Sequence, residues 1–370
     1  MKIFFALLTI IFILAACGRG NDAVEVFLEP SPTPAPTPFV FPSPSPTPEP
    51  EEDEEEYEEI CLLPRSQLTG LVVEEEVLTR RPLAVVINNM HRALPQSGIA
   101  AADIIYEVLA EGDVTRLVAI FQSEIPLTIG PVRSARDYLV DFALNHDGIF
   151  VHHGESPNAH QRWPFLHGAR IDGMHHAIAF WRDRSYPAWA RNTGQRPFEH
   201  SSFTGRAQIG KHMLGISWRD YTEDAQGFYF TDEPHEEYTG IALHFTVPFS
   251  PAYARTFVFN EETGLYAVEN RDGATMDALT EEAVHVRNVL IKLTQIRVIA
   301  GDAAGRRNVA TIGAGDGYLF NNGTYRPVRW EKDNHAAPLR WYEIDGTPLF
   351  LLPGTTWVNV LQNTAEVRIN

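Results

Sequence analysis

The stretch RSARDYLVDFALNHDGIFVHHGES, Arg133–Ser156, holds the two periodicities that set the fold class. Its first half places Tyr138, Leu139 and Phe142 on one side of a helical repeat. Ser134 followed three residues later by Asp137 fits a capping box that starts this helix. Gly148 follows its end, and GIFVHHGES then reads as a strand running into a turn. A helix feeding a strand implies a layered domain, α/β or α+β.

Working outward, three further strands precede the helix. RPLAVVINN carries the apolar run Leu83–Ile87 after a proline, and DIIYEVLAEG and VTRLVAIFQ follow. Between Trp163 and Gly205 the chain is rich in Arg, His, Trp and Gly and has little periodicity. So long an irregular segment inside a compact domain is usually functional. After about Gln226 the character changes to short β-like runs such as ALHFTV, RTFVFN, GLYAVE, VRNVLIKLTQIRVI and TWVNVLQ, with a turn at Asn321–Gly323. The expected architecture is an α/β (or α+β) mixed-sheet domain over 62–225 and a mostly-β C-terminal module over 226–370. IGAGDGYLF, with Gly313, Gly315 and Gly317, reads as a β-turn, since no helix follows to make it a nucleotide loop.

The N-terminus reads as an address. Lys2, an apolar run from Ile3 to Leu14 and LAAC ending at Cys17 form a secretory signal with a lipobox. This predicts a signal peptide over 1–16, lipidation of Cys17 with acyl chains such as palmitate, and a mature chain held by the lipid bilayer outside the cytoplasmic membrane. Residues 17–61 then form a Pro-rich and acidic stalk. The proline segment Pro30–Pro50 spans roughly 65 Å as polyproline II. Only Cys17 and Cys61 exist, so no disulfide framework is possible once Cys17 is lipidated. The net charge of -18 is concentrated between Asp22 and Glu59, and it argues against nucleic acid as a partner.

Arg133 and Arg136 stand where a helix starts, and cations oppose the helix dipole there. A bound anion reverses that sign, because free N–H groups and forked guanidinium donors both favour phosphate. Arg116 interrupts the apolar strand VTRLVAIF and must be paired or serve a site. The expected anion-binding residues are therefore Arg116, Arg133 and Arg136. The bland alternative pairs them with Asp103, Glu107 or Glu111, and specifically pairs Arg116 with Glu107 across neighbouring strands. Asp103 and Asp137 are the candidate acids or metal ligands, with Mg²⁺ implied only if phosphotransfer takes place. His152, His153, Glu199 and His200 are expected to line a cleft, the two adjacent histidines facing opposite sides of their strand. No HExxH or Cys/His spacing marks a metal site, and Ser156 lacks a G-x-S-x-G elbow. Aromatics alternating with arginines from Ala179 to Ser201 suggest a surface for glycan or anionic polymer.

AVVINNMHRALPQSGIAAADIIYEVLAEGDVTRLVAIFQSE, IGPVRSARDY, VHHGESPNA and RPFEHSSFTG resemble the YerB-like bacterial lipoproteins, a family defined by a domain of unknown function. VLIKL, the Trp330–Lys332 triplet and LLPGTTWVNV resemble the C-terminal module of that family. The resemblance implies architecture and location, and no reaction. A weaker resemblance links Asp103, Arg116, Arg133, Arg136 and Asp137 to the LytR-CpsA-Psr phosphotransferases, with GPVRSARDY in place of their arginine motif. It implies a polyprenyl phosphate or cell-wall glycan as partner. Two functions thus stand as expectations. One is an envelope lipoprotein that binds an anionic, phosphate-bearing lipid or glycan, with or without phosphotransfer. The other is a non-catalytic scaffold for an envelope protein.

Overall fold

A computed structural model describes residues 63–190, 192–214, 220–222 and 227–370. Cys17, the stalk and Cys61 lie outside the described residues. The described residues all fall within one compact unit, which holds the elements below.

Five strands of the large sheet come from the first half: β1 (Leu83–Asn88), β2 (Ile104–Leu109), β3 (Thr115–Phe121), β4 (Ile149–His152) and β5 (Arg170–Asp172). Nine more follow: β6 (His244–Pro248), β7 (Ala254–Asn260), β8 (Leu265–Asn270), β9 (Asn288–Thr294), β10 (Gly313–Asn321), β11 (Thr324–Lys332), β12 (Arg340–Tyr342), β13 (Thr356–Gln362) and β14 (Arg368–Ile369). The helices are α1 (Glu75–Thr79), α2 (Asp137–Leu144) and α3 (Arg206–Met213). With few helices and many strands in mixed sheets, the fold is α+β with a mostly-β C-terminal region.

One large sheet runs in the order β12-β11-β10-β9-β13-β2-β3-β1-β4-β5. Strands from both sides of residue 226 meet at its centre, where β13 pairs parallel with β2, Ile104 opposite Thr356 through Val108 opposite Val360. Every residue of β1, β2 and β3 is buried. The reason is that both faces of the sheet are covered, and such strands read as continuous apolar runs rather than alternating ones. One face packs Val85, Ile105, Ala119 and Trp357 against Phe245, Phe257 and Tyr266 of the antiparallel second sheet, β8-β7-β6-β14 with short flanking strands. The other packs Val86, Tyr106, Val118 and Val358 against Tyr138, Leu139 and Phe142 of α2. Tyr106 and Phe142 stack with ring centroids 4.8 Å apart.

Three local readings need correction. Ser134 does not cap α2: the N-cap is Arg136, without a side-chain capping bond, and the Ser134 hydroxyl donates to His153 O at 3.2 Å. The chain is held extended through Ala135, whose N–H donates to Gly154 O, so the helix cannot begin before Asp137. Gly313, Gly315 and Gly317 lie within β10 and not in a turn. A Cβ on Gly317 would lie 2.3 Å from the carbonyl oxygen of Ile291 on β9, so glycine there permits a close strand approach. Finally, Glu107 does not pair with Arg116. In the antiparallel β2–β3 register Glu107 opposes Leu117 and Arg116 opposes Val108, which puts the two side chains on opposite faces. The turn at Asn321–Gly323 is present, with Asn322 at φ 48° and Gly323 at φ 71°, the left-handed pair that a tight hairpin needs.

Beyond the end of α2, His146 is buried against Tyr106, with 2.7 Å between its Nε2 and the phenol oxygen. Burial, with a further push from Lys332, lowers its pKa from 6.5 to about 3. The unfolded chain protonates this histidine near pH 6.5, whereas the native state keeps it neutral to about pH 3. Its contribution is therefore complete above pH 6.5 and is lost as pH falls towards 3, at up to about 1.4 kcal/mol per pH unit. Urea unfolding at pH 7 and 5 should show a wild-type loss that His146→Gln reduces. Parallel losses in the two chains would show that His146 is not held neutral.

Candidate anion-binding site

β1 and β4 run parallel as neighbours, and ligands in open sheets bind beyond the carboxyl ends of such strands. The segment before α2 lies across these ends. Arg133 N–H donates to Val86 O at 2.8 Å, and Arg133 O accepts from His153 N–H at 3.1 Å. Arg116, the second residue of β3, stands opposite Asn88, the last residue of β1, and so reaches the same edge. The fold thus brings Arg116, Arg133 and Arg136 together, as the sequence predicts.

Their partners are few. Glu111, just after β2, forms a forked pair with Arg136 through both carboxylate oxygens, one bond at 2.9 Å, and reaches Arg116 at 3.7 Å. Arg116 also donates to Ser134 O at 2.8 Å. Among the described residues the Arg133 guanidinium donates only to a backbone carbonyl, Glu199 O at 3.0 Å, and its Nε is buried without a partner. Among the described residues no carboxylate lies within ion-pair distance of Arg133. Arg182 belongs to the same cluster: it donates to Phe198 O at 3.0 Å, lies 2.9 Å from His153 Nε2, and stacks over Phe198 at 4.2 Å.

The electrostatics record this excess of positive charge. Burial, then repulsion from Arg136, pulls Arg116 down to about 9. The same two causes lower Arg133. Burial and then Arg182 lower His153, while burial and then Arg133 lower His200. Both imidazoles are therefore neutral near pH 7. His153 Nδ1 lies 2.7 Å from the Ser202 hydroxyl, and His200 Nδ1 accepts from Asn88 at 2.6 Å. The Glu199 carboxylate is more than half exposed, 3.9 Å from His200 Nε2.

Two candidates fall outside this group. Asp103 stands at the opposite end of β2 from Arg116 and accepts N–H bonds from Gln122 and Ser123 at 2.5 and 2.9 Å. Its role is to cap the end of β3. Asp137 has Arg162 as its main charged neighbour, and it makes no ion pair with the three arginines among the described residues. The residue-by-residue likeness to a phosphotransferase centre therefore lacks its acids.

His152 faces away from His153 and is fully buried. It lies with Glu155 and Asp172 so that one ligand atom of each falls within 4.8 Å of the others. Protein groups already occupy this trio. His152 Nδ1 is 2.8 Å from Gly154 O, Arg170 donates to Glu155 at 3.1 Å, and His175 Nδ1 lies 2.6 Å from Asp172 Oδ2. A cation would compete with Arg170 and with the Gly154 bond, so the arrangement reads as a polar structural node.

Sequence reading missed Arg182. The alternation of aromatics and arginines in its segment was the signal, but nothing there indicated which arginine turns towards Arg133. The fold and the site together define a mixed-sheet α+β protein with an unbalanced arginine cluster at the strand ends. The family model described as the N-terminal domain of a protein of unknown function, DUF3048, matches residues 68–215, and the model for its C-terminal domain matches 245–358. The chain is 33% identical over 315 residues to "Putative lipoprotein YerB" of Bacillus subtilis (strain 168), covering 83% of this chain and 88% of the relative. It is also similar to the crystal structure of YerB protein from Bacillus subtilis, with a TM-score of 0.68, covering 82% of this chain and 99% of that one. The chain belongs to the YerB-like DUF3048 family. None of these matches extends to the LytR-CpsA-Psr enzymes.

Proposed function

We propose that this chain is a lipid-anchored extracytoplasmic protein that binds a phosphate-bearing lipid or glycan of the cell envelope at Arg116, Arg133, Arg136 and Arg182. The observation that carries the reading is the charge imbalance: among the described residues Glu111 is the one acid ion-paired to the cluster, and Arg133 keeps a buried Nε with no partner. Bidentate guanidinium donors suit a phosphate or pyrophosphate better than a point cation does. The lipobox at Cys17 and the lipoprotein name of the Bacillus relative support the anchor. Among the described residues no helix is long and apolar enough to cross a membrane. The reading is of binding without transfer, because neither Asp103 nor Asp137 stands against the arginines as base or metal ligand.

The test titrates the compact unit from Glu54 onward with polyprenyl pyrophosphate and with inorganic pyrophosphate, with and without Mg²⁺. Arg133→Ala removes no ion pair and should still cost at least tenfold in affinity. Arg133→Ala/Arg136→Ala should abolish binding while the circular-dichroism spectrum stays native. Failure of the wild type to bind either probe removes the phosphate reading and favours the scaffold for an envelope protein.

A further inference from the structure

Two accessible side chains flank the arginine cluster, and a phosphate group alone uses neither. They are Phe198 and Glu199, the first residues of a short 3₁₀ turn, Phe198–His200. The turn is pinned at each of its residues. Arg182 donates to Phe198 O and Arg133 to Glu199 O, each at 3.0 Å, and the buried His200 accepts from Asn88 at 2.6 Å. The two carbonyls that hold these guanidinium groups therefore also carry the Phe198 and Glu199 side chains to the edge of the cluster.

Phe198 is 61% exposed. Arg182 lies over its ring at 4.2 Å, and the rest of the ring is open to solvent. The Glu199 side chain is 56% exposed, and no side chain of the described residues donates a hydrogen bond to it. A bond from its own N–H, with attraction from His200, Arg133 and Arg92, holds its carboxyl below the ordinary value. It is thus an ionised, unoccupied acceptor beside a site for anions. A carboxylate there repels a bare phosphate, so it fits a ligand that brings hydroxyl donors along with its phosphate. A hydrocarbon chain in the same place would strip water from the carboxylate and return no hydrogen bond.

We propose that the phosphate held by the arginines is esterified to a sugar, whose ring lies against Phe198 and whose hydroxyls donate to Glu199. The inference rests on the phosphate reading above and adds the group that the phosphate carries: it selects a sugar phosphate over the phosphate of a bare lipid. A pyranose presents an apolar C–H face that packs on an open aromatic ring. An ionised carboxylate is an acceptor only, with room for two neighbouring hydroxyls. Phe198 and Glu199 are then specificity-determining residues, and the guanidinium groups remain the source of phosphate affinity.

The experiment titrates the whole chain in neutral detergent with methyl phosphate, hexyl phosphate and the 1-phosphates of glucose, galactose and N-acetylglucosamine. It is run at pH 8, where all are dianions, and read by phosphorus NMR. Methyl phosphate reports the arginines alone, and the ratio of sugar phosphate to methyl phosphate affinity reports the sugar. At least one sugar phosphate should bind tenfold or more tighter than both methyl and hexyl phosphate, since a site built for hydroxyls rejects the analogue that lacks them. Glu199→Ala should lower that ratio at least threefold while methyl phosphate binds no less tightly, because a repelling charge has gone. Phe198→Ala should bring the ratio near one, and Phe198→Tyr should keep it. Both residues are exposed, so their replacement leaves the core intact. Methyl phosphate binding with no gain from any sugar, hexyl phosphate binding as tightly as the sugar phosphates, or a ratio unmoved by Phe198→Ala and Glu199→Ala would each overturn this inference and leave the anion site standing. Failure of every phosphate to bind would remove the anion site and this inference with it.

Discussion

Glu107→Gln should destabilise the protein by about 3–5 kcal/mol, the usual cost of removing one member of a buried ion pair. Glu107 on β2 and Arg255 on β7 meet between the large sheet and the second sheet, each about 2–3% exposed. The pair is forked, Nε to Oε2 at 2.9 Å and Nη2 to Oε1 at 3.0 Å. Thr115 and Asn89 also donate to Glu107, at 2.7 and 3.1 Å, and Arg255 donates to Thr275 at 2.9 Å. Gln keeps the shape of Glu but removes the counter-charge, leaving a guanidinium that is only 3% exposed without its carboxylate. The double variant Glu107→Leu/Arg255→Met removes both charges and should recover most of the loss, since a buried pair is often worth little more than its apolar replacement. Urea midpoints of the wild type, Glu107→Leu, Arg255→Met and the double variant form the cycle. A cost near 1 kcal/mol for Glu107→Gln, the scale of an exposed pair, would show that water reaches Arg255.

That pair also marks the limit of what the sequence made legible. β1 to β4 and the C-terminal strands follow from apolar runs and turn residues, because local periodicity reports whether a segment is buried. Convergence of Arg116, Arg133 and Arg136 was legible too, as charged residues in or beside apolar segments have to be accounted for. Partners were not. Glu107 and Arg255 are 148 residues apart, and only the stacking of two sheets brings them together. Sequence alone makes Arg116 the natural partner of Glu107 because the two lie on consecutive strands. Parity of the register decides against it, and register depends on turn geometry that the sequence between Leu109 and Thr115 leaves open. The same reason hid the buried charges under α2: Lys292 and Lys332 sit in strands whose apolar neighbours are plain to see, while the carboxylate that serves them lies on a helix far away in sequence.

That carboxylate is Asp141, and its removal is the second large effect. It is fully buried on α2, where it accepts from the Thr311 hydroxyl at 2.5 Å and lies 2.9 Å from His335 Nδ1 and 3.3 Å from Arg162 Nε. It also acts through space on Lys292 and Lys332, both buried. Lys332 donates to Asn145 Oδ1 at 2.8 Å, and Lys292 lies 3.1 Å above the Trp330 ring. Burial drives the Lys332 pKa down to about 8, with Asp141 and then Asp333 opposing the fall. Burial, with repulsion from Lys332, takes Lys292 well below its ordinary value. Asp141→Asn keeps the shape but leaves these cations short of their shared acid, and a loss of about 3–5 kcal/mol is expected at pH 7. The sign with pH follows from Lys332. In the variant its native pKa drops below 8, so between that lower value and 8 the wild-type native state binds a proton that the variant does not. The wild type gains stability from that proton, and the deficit of the variant therefore grows as pH falls through about 8 and is smaller at pH 9. Denaturation of both chains at pH 7 and pH 9 measures it, with Thr311→Val as the reference for losing one hydrogen bond, about 1 kcal/mol and independent of pH. A deficit identical at the two pH values would mean that Asp141 acts through Thr311, His335 and Arg162 alone, and that Lys332 is held by Asn145 and Asp333 without it.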